Sequence, residues 1–362
     1  TRETNYTTNN KKMESLIFTY EGYKNTNIGD YIQSLAAKQF WDSTNIQYYH
    51  RDKLNQYSGA SAKVIMNGWF THQPQNWPPS PNISPLFVAF HLNTSAYEKL
   101  LSDKSIEYLK KHESIGCRDE NTVAALSKKG VNAYFSSCLT TTLGYKYASS
   151  KQRKNIYIVD PVHYVPEMNF KLRKLRLLFE YIPHFKGINR YIRKIKKQNI
   201  YDLSFSYKNL NRYAAIIRSY NILRQILSPK DLSDAIILTQ YHYDYEYPTN
   251  ESRFKRAEEL IHLYSEAQLV ITSRIHCALP CLGLKTPVIF LQNKDDSIES
   301  TCRFNGLLEL VNVIEFRKNK IIKSPYKLPL DPDKMNNTTR YLSYANKLIE
   351  RCKAFANKNG KE

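Results

Sequence analysis

The chain alternates short apolar runs with stretches whose apolar residues fall at helical spacing. The runs are Ser15–Tyr20, Lys63–Asn67, Leu86–His91, Ile115–Cys117, Val131–Phe135, Ile156–Asp160, Ala235–Thr239, Leu269–Thr272, Pro287–Leu291 and Val311–Phe316. Most are apolar throughout rather than at every second residue, the pattern of strands covered on both faces in a parallel sheet. Between them, Ile28–Trp41, Ser95–Lys111, Asp119–Lys129 and Glu251–Glu266 read as helices, and Asn336–Phe355 as a terminal one. In the first of these, Ile28, Ile32, Leu35, Ala36 and Phe40 form one face. Strands alternating with helices predict an α/β fold. Gly68–Pro85, rich in Pro, Trp and Asn, is expected to be a loop at the sheet edge, and Lys151–Asn155 a hinge between two halves.

The stretch Leu269–Leu291, LVITSRIHCALPCLGLKTPVIFL, concentrates these signals. A strand, a turn at Ser273–His276, a short helix over Cys277–Leu282 and a second strand make a βαβ unit. Proline is tolerated only within about the first turn of a helix, since deeper it removes a hydrogen bond and clashes. Pro280 therefore sets the helix start near Cys277. That leaves Ser273, Arg274 and His276 at the carboxyl end of a strand and the amino end of a helix. Open α/β sheets bind ligands there, and free N–H groups and the helix dipole favour an anion. Arg118 repeats the geometry, between Ile115–Cys117 and a helix capped by Asp119. Asn27, Gly29 and Asp30 open the first helix, with Asn27 or Thr26 as its cap. Gln240, Tyr241 and His242 follow Ala235–Thr239, and His91 ends its own strand. Each has a structural alternative. Asp30 can merely complement the dipole. Arg118 can pair with Asp119 or Glu120, and His91 and His276 can be satisfied structural histidines.

Composition narrows the partners. A chain of 362 residues with 42% hydrophobic residues is comfortable for two cores. Six cysteines, without CxxC or a Cys/His cluster, argue against a disulfide framework and a metal site. Neither a P-loop nor G-x-G-x-x-G occurs, which disfavours a nucleotide-triphosphate or dinucleotide enzyme. The opening TRETNYTTNNKKMES has no apolar h-region, and no apolar run reaches about 18 residues, so neither a signal peptide nor a spanning helix is expected. Lys+Arg of 53 against Asp+Glu of 33 gives +20, a surface that attracts a membrane leaflet, a lipid diphosphate or a nucleic acid. No nucleic-acid module pattern accompanies it, so nucleic acid is not an expected partner.

Four stretches carry a family resemblance. SRIHCALP (Ser273–Pro280) followed by GLKTPVIF (Gly283–Phe290) is similar to the C-terminal signature of the polysaccharide pyruvyl transferase family. NTNIGDYIQSLAAKQF (Asn25–Phe40), VIMNGWF (Val64–Phe70) and SIGCRDENTVAALSKKGVNAYFSSCLTTTL (Ser114–Leu143) agree with it, in the family's order. The resemblance implies two Rossmann-like domains of the glycosyltransferase-B type facing across a cleft. Residues 1–150 would be the acceptor side, 151–330 the donor side, and 331–362 a helix crossing back. It implies transfer of the pyruvyl group of phosphoenolpyruvate onto a sugar of a bacterial surface polysaccharide precursor, as a cyclic ketal, with no cofactor. Phosphoenolpyruvate carries a phosphate and a carboxylate, each matched by a planar guanidinium fork. On the resemblance Arg118, Arg274 and Ser273 bind it. His276 handles protons or stabilises the phosphate, with Asp30 and His242 as further catalytic candidates. Asn27, Gly29, His91 and Gln240 are expected to face the acceptor.

One segment, about 170–233, departs from the strand–helix rhythm. Lys171–Lys197 holds ten Lys/Arg against one acid, Glu180, with Leu172, Leu175, Leu178, Phe179 and Ile182 at roughly helical spacing. A basic amphipathic helix reads as a membrane-surface or anion-binding element, or as a solvated face on a lysine-rich protein. A cytoplasmic protein, peripheral at the inner face of the membrane and acting on a lipid-diphosphate-linked sugar, is the expectation. A nucleotide-sugar glycosyltransferase and a non-catalytic binding protein at a membrane surface or sugar are the alternatives.

Overall fold

The computed structural model describes residues 13–162, 170–198, 200, 210–296 and 301–358. Among these, a first sheet is built from β1 (Glu14–Thr19), β3 (Ile46–His50), β4 (Ala62–Phe70), β5 (Ile83–Leu92), β6 (Ile115–Cys117) and β7 (Ala133–Phe135). It runs β3-β1-β4-β5-β6-β7, and every pair is parallel. A second sheet is built from β8 (Lys154–Val159), β9 (Ile236–Leu238), β11 (Ala267–Thr272), β12 (Val288–Asn293), β13 (Asn312–Arg317) and β14 (Lys320–Lys323). It runs β14-β13-β12-β11-β8-β9, with only β14 antiparallel. Counted in chain order within each sheet, both read 2-1-3-4-5-6. In such sheets the crevice opens at the carboxyl ends where the order reverses, here beside β1/β4 and β8/β11. β2 (Asn25–Asn27) and β10 (Tyr241–Tyr243) pair antiparallel, tying the halves together at that level.

Each sheet has its own apolar cluster, and a third cluster joins them. Helix α1 (Ile28–Lys38) is capped by Asn27, whose side chain accepts the Gly29 N–H. The buried face of α1 packs on α6 (Asn250–Ser265), the ring of Tyr31 meeting that of Phe254 edge-on at 5.0 Å. The Tyr31 hydroxyl donates to Asn250 Oδ1 at 2.7 Å, and the buried Arg253 donates to it from 3.2 Å while pairing with Asp244. The terminal helix α8 (Tyr341–Asn357) buries Tyr341, Ala345, Leu348 and Cys352 in the joining cluster. It also touches the first sheet, where Lys63 Nζ donates to the Phe355 carbonyl at 2.9 Å. Among the described residues no helix is long and apolar enough to cross a membrane.

Several expectations are corrected. β3 was not foreseen, because IQYYH is an edge strand with polar and exposed positions rather than an apolar run. The Gly68–Pro85 loop is shorter at both ends: β4 continues to Phe70 across a register shift at Gly68 (φ +96°), and β5 begins at Ile83. α1 ends at Lys38 rather than Trp41, because the Phe40 and Trp41 N–H groups turn back to Ala37 and Lys38. Ser95–Lys111 breaks after Leu100. α8 begins at Tyr341 because Asn337 is used to bond the Val288 N–H and the Thr286 carbonyl. Of the basic segment, the side chains of residues 170–174 and 211 and residues 199 and 201–209 lie outside the described residues.

Candidate active site

The carboxyl ends of both sheets open on one cavity of about 290 Å³. From the first half it is lined by Asn27, Asp30, Arg51, Trp69, His72 and Arg118; from the second by Gln240, Ser273, Arg274, Ile275, His276 and Arg303. Arg51 follows β3, Arg118 follows β6, and Ser273 and Arg274 follow β11. Helix α7 (Ile275–Gly283) starts with His276 at φ −110°, ψ 27°, so regular helix begins only at Cys277 and the His276 side chain sits on the cavity wall.

The four arginines are held differently. Arg51 is buried and forks onto Asp52, Nε to Oδ1 at 2.9 Å and Nη2 to Oδ2 at 3.0 Å, between the rings of Tyr20 and Trp69. Burial opposes ionisation of Asp52, yet the Arg51 fork holds its carboxyl well below the usual range. Arg274 Nε donates to Asp160 Oδ2 at 3.1 Å, and its guanidinium lies 5.5 Å from the Tyr241 ring centre. Asp160 sits at φ +42°, which ordinary residues rarely adopt. It is fixed there by the Gln240 N–H on Oδ2 at 3.0 Å and the Ser273 hydroxyl on its carbonyl at 2.7 Å. Arg118 is only 2% exposed; its Nη1 lies 3.4 Å from Gln33 Oε1 and 3.3 Å from His276 Nε2, and its Nε has no partner among the described residues. Arg303 Nε is likewise buried without a partner among the described residues, and burial, Arg118 and Arg274 all lower its affinity for its proton. Among the described residues neither Arg118 nor Arg303 forms an ion pair with a carboxylate. A buried guanidinium without a counter-charge costs several kcal/mol, so the Arg118 end of the cavity is suited to an anion.

Two titratable groups share the cavity. Burial, then Arg118 and Arg303, hold His276 well below the ordinary histidine value, so its ring is neutral. Burial raises Asp30 against the pull of Arg51, Arg118 and Arg274. Gln33 bridges them, its Nε2 donating to Asp30 Oδ1 at 3.0 Å and lying 3.5 Å from His276 Nδ1. An acid raised and a base lowered in one site is the usual arrangement for proton transfer near neutral pH. Gly29 makes this approach possible: a Cβ there would lie 2.9 Å from the His276 Cβ. Among the described residues, no three His, Cys, Asp or Glu side chains gather as metal ligands.

Most residues singled out from the sequence are brought together here: Asn27, Asp30, Arg118, Gln240, Ser273, Arg274 and His276 line the cavity. Gly29 acts through close approach rather than as a lining group. Two are not brought in. His91 is buried behind Arg118 with Nδ1 2.5 Å from Asp119 Oδ2, and burial, with Arg118, lowers it to about 4 despite that carboxylate. Asp119 is spent on His91 and on capping helix α2 (Glu120–Ser127), which is why it does not pair with Arg118. His242 packs edge-on against Tyr247 with Glu246 3.8 Å away and does not line the cavity. Arg51, Trp69, His72, Arg303, Asp160 and Gln33 were not foreseen. Asp160 had left a signal as the polar end of IYIVD, and Gln33 and Trp69 lay within the stretches Asn25–Phe40 and Val64–Phe70 that carry the family resemblance.

A family profile described as polysaccharide pyruvyl transferase matches residues 27–295, more than half of the chain. No curated protein matches significantly. Among solved structures, a functionally uncharacterized protein from Klebsiella pneumoniae is similar at 12% identity and a TM-score of 0.39, covering 84% of this chain and 92% of that one. The E. coli ADP-heptose lipopolysaccharide heptosyltransferase II is similar at 10% identity and a TM-score of 0.24, covering 94% of this chain and 99% of that one. At these TM-scores neither structure bears on the chemistry.

Proposed function

We propose, on the premise that this chain belongs to the polysaccharide pyruvyl transferase family, that its arginine cavity binds phosphoenolpyruvate and that the pyruvyl group passes to a sugar as a cyclic ketal. A transferase role in polysaccharide pyruvylation follows from the family itself. The observation that carries the donor reading is the buried Arg118 and the half-buried Arg303 at one cavity, whose Nε groups have no partner among the described residues. Phosphoenolpyruvate brings a phosphate and a carboxylate a few ångströms apart, and two guanidinium forks, one from each half of the chain, suit both. Arg274, aimed by Asp160, and Ser273 complete the donor site on this reading.

The bound anion offsets the arginines, so His276 and Asp30 each hold a proton more readily than in the empty cavity. Protonated His276 gives its proton to C3 while Asp30 takes the proton of the sugar hydroxyl attacking C2. The bond between C2 and the phosphate oxygen breaks, and Asp30 returns its proton to the departing phosphate. A second hydroxyl closes on C2 and His276 takes its proton. One donor and two hydroxyls give one ketal and one phosphate, and both side chains end as they began. Asn27 and Gln240, which also line the cavity, are assigned to the acceptor. Residues 1–150 and 151–330 then act as Rossmann-like domains of the glycosyltransferase-B type, with 331–362 crossing back, a reading that the like strand orders support. The +20 net charge favours a lipid-diphosphate-linked acceptor at the cytoplasmic face of a membrane. The test is incubation with phosphoenolpyruvate and lipid-diphosphate- or nucleotide-linked sugars. A sugar gaining the mass of pyruvate less water, with equimolar phosphate, is expected. A hexose increment from a nucleotide sugar would mean glycosyl transfer instead.

A further inference from the structure

A second cavity, of about 130 Å³, lies between helix α4 (Phe185–Lys197) and helix α5 (Leu210–Ile226). On α4, Gly187, Arg190, Tyr191 and Lys194 follow i, i+3, i+4, i+7 spacing and so share one face. Arg224 faces them from α5. Three cationic side chains therefore line a cavity that has no acidic residue in its lining. Among the described residues, neither Arg190 nor Arg224 is in an ion pair. Gly187 keeps the helices close, since a Cβ there would lie 1.8 Å from the Tyr220 hydroxyl oxygen. Just before it in the chain, helix α3 (Phe170–Tyr181) exposes Phe179 (71%) and the turn after it Ile182 (60%), and Phe185, the first residue of α4, is 47% exposed. Lys194 Nζ is already bonded to the Ser233 carbonyl near Asp234, so Arg190 and Arg224 are the cations left for a ligand; with three large apolar side chains shortly before them in the chain they match the two layers of a bilayer surface, anionic headgroups above an acyl boundary.

We propose that this cavity holds the phosphate of an anionic phospholipid headgroup while Phe179, Ile182 and Phe185 enter the leaflet. The proposal rests on the membrane-face reading above and sharpens it from a diffuse basic surface to a site.

The test is co-sedimentation of the full chain with vesicles of equimolar phosphatidylglycerol and phosphatidylcholine, against phosphatidylcholine alone. The wild-type protein pellets with the anionic vesicles. Arg190→Ala/Lys194→Ala/Arg224→Ala lowers that binding about 100-fold, since each basic group near an anionic leaflet contributes roughly fivefold. A control losing the same charge from the exposed Lys104, Lys128 and Lys129 stays within a few-fold of wild type. Phe179→Ser/Ile182→Ser/Phe185→Ser abolishes the residue of binding that survives high salt. Phosphoenolpyruvate affinity is unchanged in all three variants, which also reports that they fold. Equal losses in the cavity and control variants would overturn the site and leave the membrane reading standing. No vesicle binding by wild type would overturn both. Tight binding of inorganic phosphate by wild type, lost in the cavity variant, with no preference for anionic vesicles, would make this a free-phosphate site and overturn the lipid.

Discussion

The two halves of the molecule share one strand order, and each brings two arginines to the cavity, one gripped by a carboxylate and one not. In the first half Arg51 is gripped by Asp52 and Arg118 is not; in the second Arg274 is gripped by Asp160 and Arg303 is not. The grips are unequal. Arg51 has both ends of its fork occupied and aromatic rings about it, so it serves the wall. Arg274 is held through Nε, and its side chain stays 20% exposed at the cavity. Among the described residues neither Arg118 nor Arg303 forms an ion pair with a carboxylate, and Arg118 and Arg274 both oppose the charge on Arg303 while Asp296 supports it. The lesson is that arginines at one site divide into those that build it and those that wait for a ligand. An anion relieves the repulsion and stabilises the fold that binds it.

The sharpest break between the halves lies in the proton carriers, Asp30 from the first and His276 from the second. His276→Gln should lower turnover about 10²–10⁴-fold with donor affinity nearly intact, read by initial-rate assay and calorimetry. Near-normal turnover would return His276 to a structural role. The contrast of gripped with ungripped arginine comes next. Arg51→Ala strands Asp52 in a buried site and should cost about 3–5 kcal/mol in urea unfolding. Arg118→Ala relieves repulsion and should cost little or nothing there. Similar costs in both would erase the distinction.

Acidity probes the same comparison. His276 is depressed in the empty cavity and lifted by the bound anion, so donor affinity should rise as pH falls, by up to about tenfold per unit for one coupled proton. The ligand-free fold behaves oppositely. His276 and His91 are neutral when folded and take protons when unfolded below about pH 6.5. Stability should therefore fall as pH drops from about 6.5 towards about 4. Calorimetry and urea titration across that window check both signs. The smallest effect belongs to a positioning residue: Asp160→Asn keeps the shape but loosens Arg274. Donor KM should rise several-fold while kcat holds, because Asp160 touches no reacting atom.

Much of the site was legible because a parallel sheet writes its strand ends plainly. An apolar run that stops at a polar residue before a helix marks the ligand edge, and that rule led to Arg118, Ser273, Arg274 and His276. It could not say which way a side chain points. His91 and His242 also sit at strand ends, yet one is turned into a buried pair with Asp119 and the other onto Tyr247. Arg51 was hidden because the strand before it is an edge strand with exposed Gln47 and Tyr48. Arg303 was hidden because it lies in a single 3₁₀ turn, which has no period to read. The equal strand order of the two halves was also beyond the sequence, since pairing between distant strands leaves no local trace.

Titrating phosphoenolpyruvate into the wild-type protein and into Arg118→Ala/Arg303→Ala by calorimetry tests the central claim most directly. Each lost charge-assisted contact to a partly buried anion is worth about 1.5–3 kcal/mol. Wild type should bind with a measurable heat, and the double variant should lose at least about 100-fold in affinity while unfolding no more easily. Equal affinity in the two proteins, or no binding by wild type, would contradict it.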